Sequence, residues 1–334
     1  TKEAINEILN TSIRRTERYR SMNKAGKSFA EIKKEFAKPI AMSVFTWNGV
    51  RDTTMSPLDS LKHYKSFFRA GFMAMEPATG HIKAYVGGPN YHYFQYDMVS
   101  TGKRQIGSTI KPILYTLAMQ EGLEPCQKVL NVQQTFVLPD GTTWTPRNST
   151  NKREGEMVTL KWGLANSVNN ISGWVLKQFT PEAVVQMAHR MGINSFIDPV
   201  PAIFLGSSEV SVKEMVSAFS VYANKGVYNS PIMVTKIEDK YGNLLATFQP
   251  ESREVITENT AYLMANLLKG VIDEGTGIRL RYRYKFTNPI GGKTGTTQNH
   301  SDGWFIGITP DLAGGVWVGA EDRSIHFQNL ANGQ

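Results

Sequence analysis

The sequence has little cysteine and no long apolar run. Its single cysteine, Cys126, cannot form an internal disulfide, and no Cys/His cluster surrounds it, so a disulfide scaffold and a zinc module are both excluded. No apolar run approaches the roughly 18 residues that a membrane-spanning helix needs. The six histidines never occur in an H-E-x-x-H pattern, which leaves metal-dependent hydrolysis without a scaffold. We therefore expect neither a metal nor another cofactor.

The remaining composition is that of a folded protein. A length of 334 residues favours about two domains. The 41% hydrophobic and 20% charged residues exclude disordered, collagenous and coiled-coil chains. The formal charge is +8, and the nine Lys/Arg of residues 1–36 outnumber five Glu. This excess favours an anionic partner, such as nucleic acid, a membrane surface or a carboxylate substrate, although a solvated basic helix explains it equally well.

The N-terminal part is predicted to hold a helical arm followed by a small β-containing linker. Apolar residues at helical spacing predict helix in residues 1–36, with a stripe of Ile5, Ile8, Leu9 and Ile13. In the linker, residues 37–66, Asn48-Gly49 predicts a hairpin with a two-residue type I′ turn, in which both residues have positive φ. A second hairpin, at residues 72–86, opens the main domain. We expect domains at residues 1–66 and 67–334.

The main domain has the order strands, helices, strands. Helical patterns dominate between Ser108 and about Tyr228 and return at residues 257–272. Strand patterns follow the helical block at residues 232–239, 243–248, 290–297, 303–309 and 315–319. This order predicts an α/β fold in which the first hairpin closes against the last strands, with a helical insertion between them.

Two further patterns suggest nucleotide or nucleic-acid binding, but the sequence around each of them favours another interpretation. Gly292-Lys293-Thr294 ends like a phosphate-binding loop, but Thr287 stands where the leading glycine belongs and no helix pattern follows. The stretch 278–286 alternates apolar residues with four basic ones, which an extended strand would place on one side: Arg279, Arg281, Arg283 and Lys285. A solvated strand or loop is favoured, because no nucleic-acid-binding signature accompanies the stretch.

Ser-x-x-Lys occurs four times, beginning at Ser21, Ser100, Ser108 and Ser149. Only Ser108 opens an apolar helix. Pro112 is tolerated only in the first turn of a helix, which fixes the helix start near Ser108. Ser108 and Lys111 then share one face. Because a serine hydroxyl needs a base, and burial lowers the pKa of a lysine, Lys111 is the candidate base.

Two further motifs follow along the chain. Ser167-Val-Asn169 lies in an Asn-rich stretch that favours a turn after an apolar helical run. Lys293-Thr294-Gly295 occurs once, in a strand pattern with further glycines at 291 and 292. We expect these glycines to let a substrate backbone approach the strand closely.

In this order, Ser108-x-x-Lys111, Ser167-x-Asn169 and Lys293-Thr294-Gly295 form the motif set of serine β-lactamases and penicillin-binding proteins. The flanking stretches 75–88, 103–112 and 301–307 extend the match. The sequence thus resembles the transpeptidase domain of a class A penicillin-binding protein over about residues 67–330. The resemblance implies a five-stranded antiparallel sheet flanked by helices, with a mostly helical subdomain.

The resemblance also implies a peptidoglycan D,D-transpeptidase that is acylated and inhibited by β-lactams. Ser108 would be the acylated nucleophile and Lys111 its base. Ser167 would relay a proton to the leaving amine. The backbone N–H groups of Ser108 and Thr296 would form the oxyanion hole, in which each donor contributes about 3–4 kcal/mol.

The same resemblance implies the substrate-binding residues. Asn169 would orient the peptide amide of the donor stem peptide, and Lys293 would hold positive potential in the site. The hydroxyls of Thr294 and Thr296 would bind the terminal carboxylate, beside Gly295. The implied partners are D-Ala-D-Ala stem peptides, an amine acceptor and β-lactams, with no nucleic acid.

Class A β-lactamase is the nearest alternative, but no E-x-x-L-N loop occurs between Asn170 and Lys293. A second alternative is a non-catalytic penicillin-binding sensor. The intact Lys111 argues against it, because a receptor without turnover has less need of this base. A nucleic-acid-binding role ranks last. For the full-length protein, class A implies a membrane anchor and a glycosyltransferase domain upstream of Thr1. It also implies a location in the cell envelope, at the periplasmic or extracytoplasmic face of the cytoplasmic membrane. We expect the fragment itself to be soluble.

Overall fold

The computed structural model describes residues 2–148 and 151–327. Ser149, which begins one of the four Ser-x-x-Lys tetrapeptides, lies outside the described residues. Two compact units are present: one runs up to Arg69 and includes the segment from Gly319, and the other runs from Ala70 to Val318. Among the described residues, none of the helices has the length and apolar character that crossing a bilayer requires.

The N-terminal unit begins with three helices where the sequence predicted one helical arm: α1 (Lys2–Arg15), α2 (Glu17–Lys24) and α3 (Phe29–Phe36). The breaks fall at Thr16 and Ser28, whose side chains accept hydrogen bonds from the N–H groups of Tyr19 and Glu31. Such N-caps satisfy backbone donors that a new helix leaves unpaired, so they favour a restart over a continuous helix. Of the apolar stripe, Leu9 and Ile13 are buried and Ile5 is exposed.

The linker contains the predicted hairpin, formed by β1 (Ile40–Thr46) and β2 (Gly49–Met55), and then α4 (Pro57–Ser66). The predicted turn is wrong. Thr46 pairs with Gly49, so Trp47 and Asn48 are the two loop residues, and of Asn48 and Gly49 only the glycine has positive φ. The Thr46 hydroxyl binds both Asn48 N–H and Gly49 C=O, which closes the turn without left-handed backbone at Asn48.

The second unit follows the predicted order of strands, helices and strands. Its elements are, in chain order, β3 (Phe68–Met75), β4 (Ile82–Val86), β5 (Lys103–Gln105), α5 (Lys111–Gln120), β6 (Lys128–Leu130), β7 (Phe136–Val137), β8 (Thr143–Trp144), β9 (Met157–Thr159), α6 (Leu160–Ala165), α7 (Asn169–Leu176), α8 (Pro181–Arg190), β10 (Glu209–Ser211), α9 (Val212–Ala223), β11 (Val227–Asn229), β12 (Lys236–Glu238), β13 (Leu244–Thr247), β14 (Ser252–Glu254), α10 (Glu258–Asp273), α11 (Arg279–Tyr282), β15 (Gly291–Thr296), β16 (Asp302–Ile308) and β17 (Ala313–Ala320). Short 3₁₀ turns lie at Gly107–Ile110, Pro201–Leu205 and Gln298–His300.

A five-stranded antiparallel sheet with the strand order β15-β16-β17-β3-β4 is the centre of the second unit. The first hairpin therefore lies beside the last strand, as predicted, and the fold class is confirmed. β15 lies at one edge of the sheet. Since Lys293-Thr294-Gly295 belongs to β15, this motif is carried by an edge strand.

The central helix α5 is buried on all sides. Every residue from Lys111 to Met119 is inaccessible or nearly so, and apolar side chains from α6 to α10 complete the same core. A helix that is apolar all round belongs in a protein interior. The position of the Ser108 turn, at the N-terminal end of this helix, is therefore fixed by the core.

The basic stretch 278–286 is not extended. Residues Arg279–Tyr282 form the short helix α11, so the four basic residues do not form the row that an extended strand would give. Arg281 forms an ion pair with Asp273 at 2.8 Å and donates to the carbonyls of Phe286 and Asn288, contacts that close the segment into a compact turn. The geometry of an extended nucleic-acid-binding strand is absent from this stretch.

Candidate active site

Ser108 lies in the 3₁₀ turn that leads into α5. The N–H of Lys111 donates to the carbonyl of Ser108, and Pro112 occupies the first turn of α5. The predicted helix start near Ser108 is confirmed. Ser108 is half-buried, whereas Lys111 is fully buried.

The end of β15 lies against the Ser108 turn. Gly107 has a φ of 54°, and a Cβ on it would lie 3.0 Å from the carbonyl oxygen of Thr296. On its other side, Gly107 donates its N–H to Gly206 at 3.1 Å. The backbone of Thr296 thus lies beside the residue that precedes Ser108, as an oxyanion hole shared by Ser108 and Thr296 requires.

The glycines of β15 lie close to neighbouring segments of the protein. A Cβ on Gly291 would meet Leu268 of α10 at 3.0 Å, and one on Gly295 would lie 2.8 Å from the carbonyl oxygen of Ile106. The absence of side chains therefore lets the strand pack against α10 and the Ser108 turn. Close packing within the protein is thus one reason for these glycines, and the approach of a substrate backbone stays a prediction.

Ser167 lies between α6 and α7 in a left-handed conformation with a φ of 56°. Its N–H donates to Leu164 C=O at 3.1 Å, and the N–H of Val168 donates to Gly163 C=O at 2.9 Å. These two bonds form a Schellman motif at the C-terminus of α6, in which a glycine commonly occupies the left-handed position. The predicted turn is present, and it holds a serine in a strained conformation.

Lys111 reaches from α5 to this turn. Its Nζ donates to the carbonyl of Ser167 and to Oδ1 of Asn169, both at 2.7 Å, and lies 3.4 Å from Ser167 Oγ. The first motif is therefore bound directly to the second through the amine of one lysine.

Lys293 reaches the same hydroxyl from β15. Its Nζ lies 3.1 Å from Ser167 Oγ and 2.9 Å from the carbonyl oxygen of Thr294. The three motifs meet at Ser167, although 126 positions separate Ser167 from Lys293.

Both lysines have lowered pKa values. Burial holds the pKa of Lys111 well below its usual 10.5, and the nearby charge of Lys293 lowers it further. Burial lowers the pKa of Lys293 to about 7. Desolvation disfavours the charged form of an amine, so this site stabilises a neutral lysine near physiological pH.

A neutral Lys111 has a specific hydrogen-bonding consequence. A neutral amine has two N–H donors and one lone pair, and the two 2.7 Å contacts go to groups that only accept. Both protons are therefore committed, and the lone pair is left for a hydroxyl. Ser167 Oγ accepts from Lys293 at 3.1 Å and lies 3.4 Å from Lys111 Nζ.

Thr294 and Thr296 are both half-buried on β15. The hydroxyl of Thr294 is hydrogen-bonded to the hydroxyl of Thr276 at 2.7 Å. Thr276 was not predicted from sequence, because it lies in a Gly-Thr-Gly loop outside the three motifs.

Asn148 is a second residue that the sequence motifs missed. Its Oδ1 accepts from the N–H groups of Asn169 and Asn170 at 2.8 and 3.0 Å, and Asn169 Nδ2 donates to Arg147 C=O at 2.7 Å. These bonds cap the N-terminus of α7 and hold Asn169 in place. The only sequence signal was the polar run that contains Asn148.

A buried ion pair supports the same end of β15. Arg104 Nε lies 2.8 Å from Asp302 Oδ1, and the Trp317 indole and Thr297 hydroxyl also donate to Asp302. Arg104 precedes the Ser108 turn, and Thr297 directly follows β15. The pair therefore joins the two segments whose backbones meet at Gly107 and Thr296.

The described part of the chain contains no group of three or more His, Cys, Asp or Glu side chains placed to hold a metal ion. The candidate site is built from lysine, serine, threonine and amide groups, which supply proton transfer and hydrogen bonding.

Comparison with protein families gives two matches. The model of the penicillin-binding protein transpeptidase domain matches residues 70–321, and the model of the penicillin-binding protein middle domain matches residues 1–68. Penicillin-binding protein 1A of Aquifex aeolicus is 33% identical over 74% of this chain and 34% of its own length. Penicillin-binding protein 2D of Bacillus subtilis is 32% identical over 78% of this chain and 38% of its own length. The chain thus spans little more than a third of these relatives.

Solved structures share the fold. Penicillin-binding protein 1A from Haemophilus influenzae superposes with a TM-score of 0.73 at 21% identity, covering 87% of this chain and 47% of that chain. The PonA1 protein from Mycobacterium tuberculosis, solved in complex with penicillin V, superposes with a TM-score of 0.64 at 21% identity, covering 97% of this chain and 88% of that chain.

Proposed function

Since the chain belongs to the family of penicillin-binding protein transpeptidase domains, we propose that it is a serine D,D-transpeptidase that cross-links peptidoglycan stem peptides and is acylated by β-lactams. The observation that carries the proposal is the meeting of two fully buried lysines, Lys111 and Lys293, at the hydroxyl of Ser167. Burial of two amines is costly, and strongly perturbed amines of this kind cluster at catalytic sites.

In the acylation step, Ser108 Oγ attacks the carbonyl carbon of the D-Ala–D-Ala peptide bond. The lone pair of neutral Lys111 takes the hydroxyl proton, and the N–H groups of Ser108 and Thr296 stabilise the oxyanion. When the tetrahedral intermediate collapses, the C–N bond breaks and the leaving amine receives a proton through the hydroxyl of Ser167. The terminal D-Ala departs, and the stem peptide stays as an ester on Ser108.

In the second step, an acceptor amine attacks the ester and loses a proton along the same route in reverse. A new peptide bond forms, and the ester oxygen returns to Ser108 as a hydroxyl. Asn169, which Lys111 and Asn148 hold in place, orients the amide of the donor peptide. Lys293 and the hydroxyls of Thr294 and Thr296 bind the terminal carboxylate, and Gly295 holds this strand against the Ser108 turn.

A β-lactam follows the first step only. Attack on the lactam carbonyl breaks the ring C–N bond, but the leaving amine stays tethered to the acyl group. Hydrolysis then needs a water and a base aimed at the ester. The sequence has no E-x-x-L-N loop between Asn170 and Lys293 to supply that base, so we expect a long-lived acyl-enzyme.

The proposal for the whole protein is wider. We propose that residues 1–66 form a helical arm and a β-containing linker and that residues 67–334 form the transpeptidase domain. We also propose that the full-length protein carries a membrane anchor and a glycosyltransferase domain upstream, in the cell envelope at the periplasmic or extracytoplasmic face of the cytoplasmic membrane. The middle-domain match and the fact that the chain spans about a third of its relatives support this proposal. An open reading frame that begins a few dozen residues before Thr1 would overturn it.

Intact-mass analysis after incubation with benzylpenicillin tests the enzyme proposal. The wild type and Ser100→Ala, which alters another Ser-x-x-Lys tetrapeptide, should gain the mass of one whole antibiotic, and Ser108→Ala should gain none. Labelling that persists in Ser108→Ala would overturn the assignment. An adduct that decays within minutes as penicillin is hydrolysed would identify a β-lactamase. If the wild type is acylated but does not release D-Ala from a D-Ala-D-Ala peptide in the presence of an amine, the protein is a non-catalytic penicillin-binding sensor.

A further inference from the structure

The loop Gly275-Thr276-Gly277, between α10 and α11, contacts the third motif and the end of α6, which precedes the second motif. The N–H of Thr276 donates to Ala165 C=O at 3.0 Å, two residues before Ser167. The Thr276 hydroxyl is hydrogen-bonded to the Thr294 hydroxyl at 2.7 Å. One residue outside the motifs therefore bridges the end of α6 to the strand that carries Lys293.

The two glycines of the loop are required for this approach. A Cβ on Gly275 would lie 2.1 Å from the carbonyl oxygen of Ala165, and one on Gly277 would lie 2.6 Å from Ile272 Cδ1. Gly277 also donates its N–H to Val271 C=O at 2.9 Å. Contacts at both neighbours of Thr276 thus fix its backbone and hold its side chain against Thr294.

The number of hydroxyl protons determines which of Thr276 and Thr294 donates in their hydrogen bond. Each hydroxyl has one proton, so Thr294 cannot donate both to Thr276 and to a bound carboxylate. If Thr294 donates to the carboxylate, the proton in the 2.7 Å bond must come from Thr276. A donated bond also polarises the Thr294 hydroxyl and strengthens the bond that it makes in turn.

The rest of Thr294 is held as well, since Lys293 Nζ binds its carbonyl oxygen at 2.9 Å. The hydroxyl torsion is the remaining freedom of this residue, and Thr276 is the group that restricts it. Thr276 is itself exposed, so its hydroxyl stays hydrated if the bond breaks, and the protein gains little stability from the pair. The value of the bond therefore lies in the orientation of Thr294.

We propose that Thr276 is a positioning residue for recognition of the substrate carboxylate: it donates to Thr294 and so keeps the Thr294 proton directed at the carboxylate. The inference rests on the proposed function, in which Thr294 binds that group.

The test compares two probes that differ only in the carboxylate, benzylpenicillin and its methyl ester. Thr276→Val keeps the shape and removes the hydroxyl, whereas Thr276→Ser keeps the hydroxyl. Thr135→Val is the matched control, because it breaks another exposed pair of threonine hydroxyls, Thr135–Thr145, at 2.8 Å. The second-order acylation rate is measured for each variant with each probe, and melting temperatures verify that the variants are folded.

We expect Thr276→Val to lower the rate with benzylpenicillin about 5- to 10-fold, the worth of one hydrogen bond, and to change the rate with the ester less than 2-fold. Thr276→Ser should restore the rate, and Thr135→Val should match the wild type. Equal losses with both probes would show a structural role and overturn the inference, as would an unchanged rate with benzylpenicillin. The two failures are distinct, because the Ser108 adduct of the wild type tests the proposed function, and the ratio of the two probe rates tests the inference.

Discussion

Lys111 and Lys293 share one hydrogen-bonding partner, the hydroxyl of Ser167, at 3.4 and 3.1 Å from their Nζ atoms. Both side chains are fully buried, and within residues 2–148 and 151–327 neither forms an ion pair with a carboxylate. Two buried ammonium groups at one hydroxyl would repel each other without compensation. The charge of Lys293 therefore adds to burial in lowering the pKa of Lys111.

The first prediction concerns the pH dependence of acylation. The rate should rise with pH as the Lys111 amine loses its proton, and it should fall as Lys293 loses its charge near pH 7 and binds the penicillin carboxylate less well. Lys111→Ala should lower the rate by about 10²- to 10⁴-fold and remove the rising limb. Lys293→Ala should lower it less and remove the falling limb.

Stopped-flow acylation by a chromogenic cephalosporin between pH 5 and pH 9 measures both limbs. Lys240→Ala, on an exposed hairpin, is the control and should retain the full profile. An unchanged rate and profile in Lys111→Ala would mean that another group is the base.

The second prediction concerns stability. The pKa of Lys293 is about 7 in the folded chain and near 10.5 in the unfolded chain, so between these values the unfolded chain binds more protons. The cost of burying Lys293 is fully present below pH 7 and is relieved as the pH rises. Its contribution to the free energy of unfolding should rise by about 1.4 kcal/mol per pH unit.

Urea unfolding at pH 7.5, 8.5 and 9.5 measures this slope. Lys293→Met keeps the volume and removes the titrating group. It should reduce the slope of the free energy of unfolding against pH by the amount that one proton contributes, about 1.4 kcal/mol per pH unit. Lys111 adds a slope of the same sign, and it remains in the variant. Equal slopes for the variant and the wild type would contradict the prediction.

The third prediction uses the strained backbone of Ser167. Ser167→Ala and Ser167→Gly both delete the hydroxyl, so the difference between them reports the left-handed φ of 56° alone. Ser167→Gly should be the more stable by about 1 kcal/mol, because only glycine adopts this conformation without steric cost. Both variants should lose transpeptidation. If the alanine variant were as stable as the glycine variant, the backbone at 167 would carry no strain.

The fourth prediction concerns the ion pair of Arg104 and Asp302. Asp302→Ala leaves Arg104 buried without its partner and should lower the free energy of unfolding by about 3–5 kcal/mol. Asp140→Ala removes a fully exposed carboxylate and should leave the free energy of unfolding close to that of the wild type. Chemical denaturation measures both. A small effect at Asp302 would indicate that water replaces the carboxylate beside Arg104.

The parts predicted correctly from sequence depend on local spacing. Ser108 and Lys111 are three residues apart, and Pro112 fixes the start of the helix, so their relation follows from helix geometry. The strand order follows from the order of strand patterns along the chain, because hairpins pair neighbours. The family resemblance, carried by three short motifs, is confirmed by the match over residues 70–321.

The parts that sequence missed depend on contacts between distant segments. A polar run is the only local signal for Asn148, and Thr276 has none, since each acts through a hydrogen bond to a motif residue far along the chain. The turn was predicted at Asn48-Gly49 but lies at Trp47 and Asn48. The Thr46 hydroxyl closes it through hydrogen bonds that the Asn-Gly pattern does not indicate. The roles assigned to Ser108 and Thr296 stay predictions until acylation is measured.

The strand order sets a time at which this domain becomes reactive. β17, at residues 313–320, lies between β16 and β3, and β3 begins at residue 68. During synthesis the first hairpin must wait for about 240 residues before its neighbour in the sheet exists, and contacts of such long sequence separation form slowly. Until β17 is made, β15, which carries Lys293, and β16 have no strand that joins them to the first hairpin. Covalent labelling of nascent chains by a fluorescent penicillin would therefore report completion of the fold. Chains stalled before residue 313 should remain unlabelled.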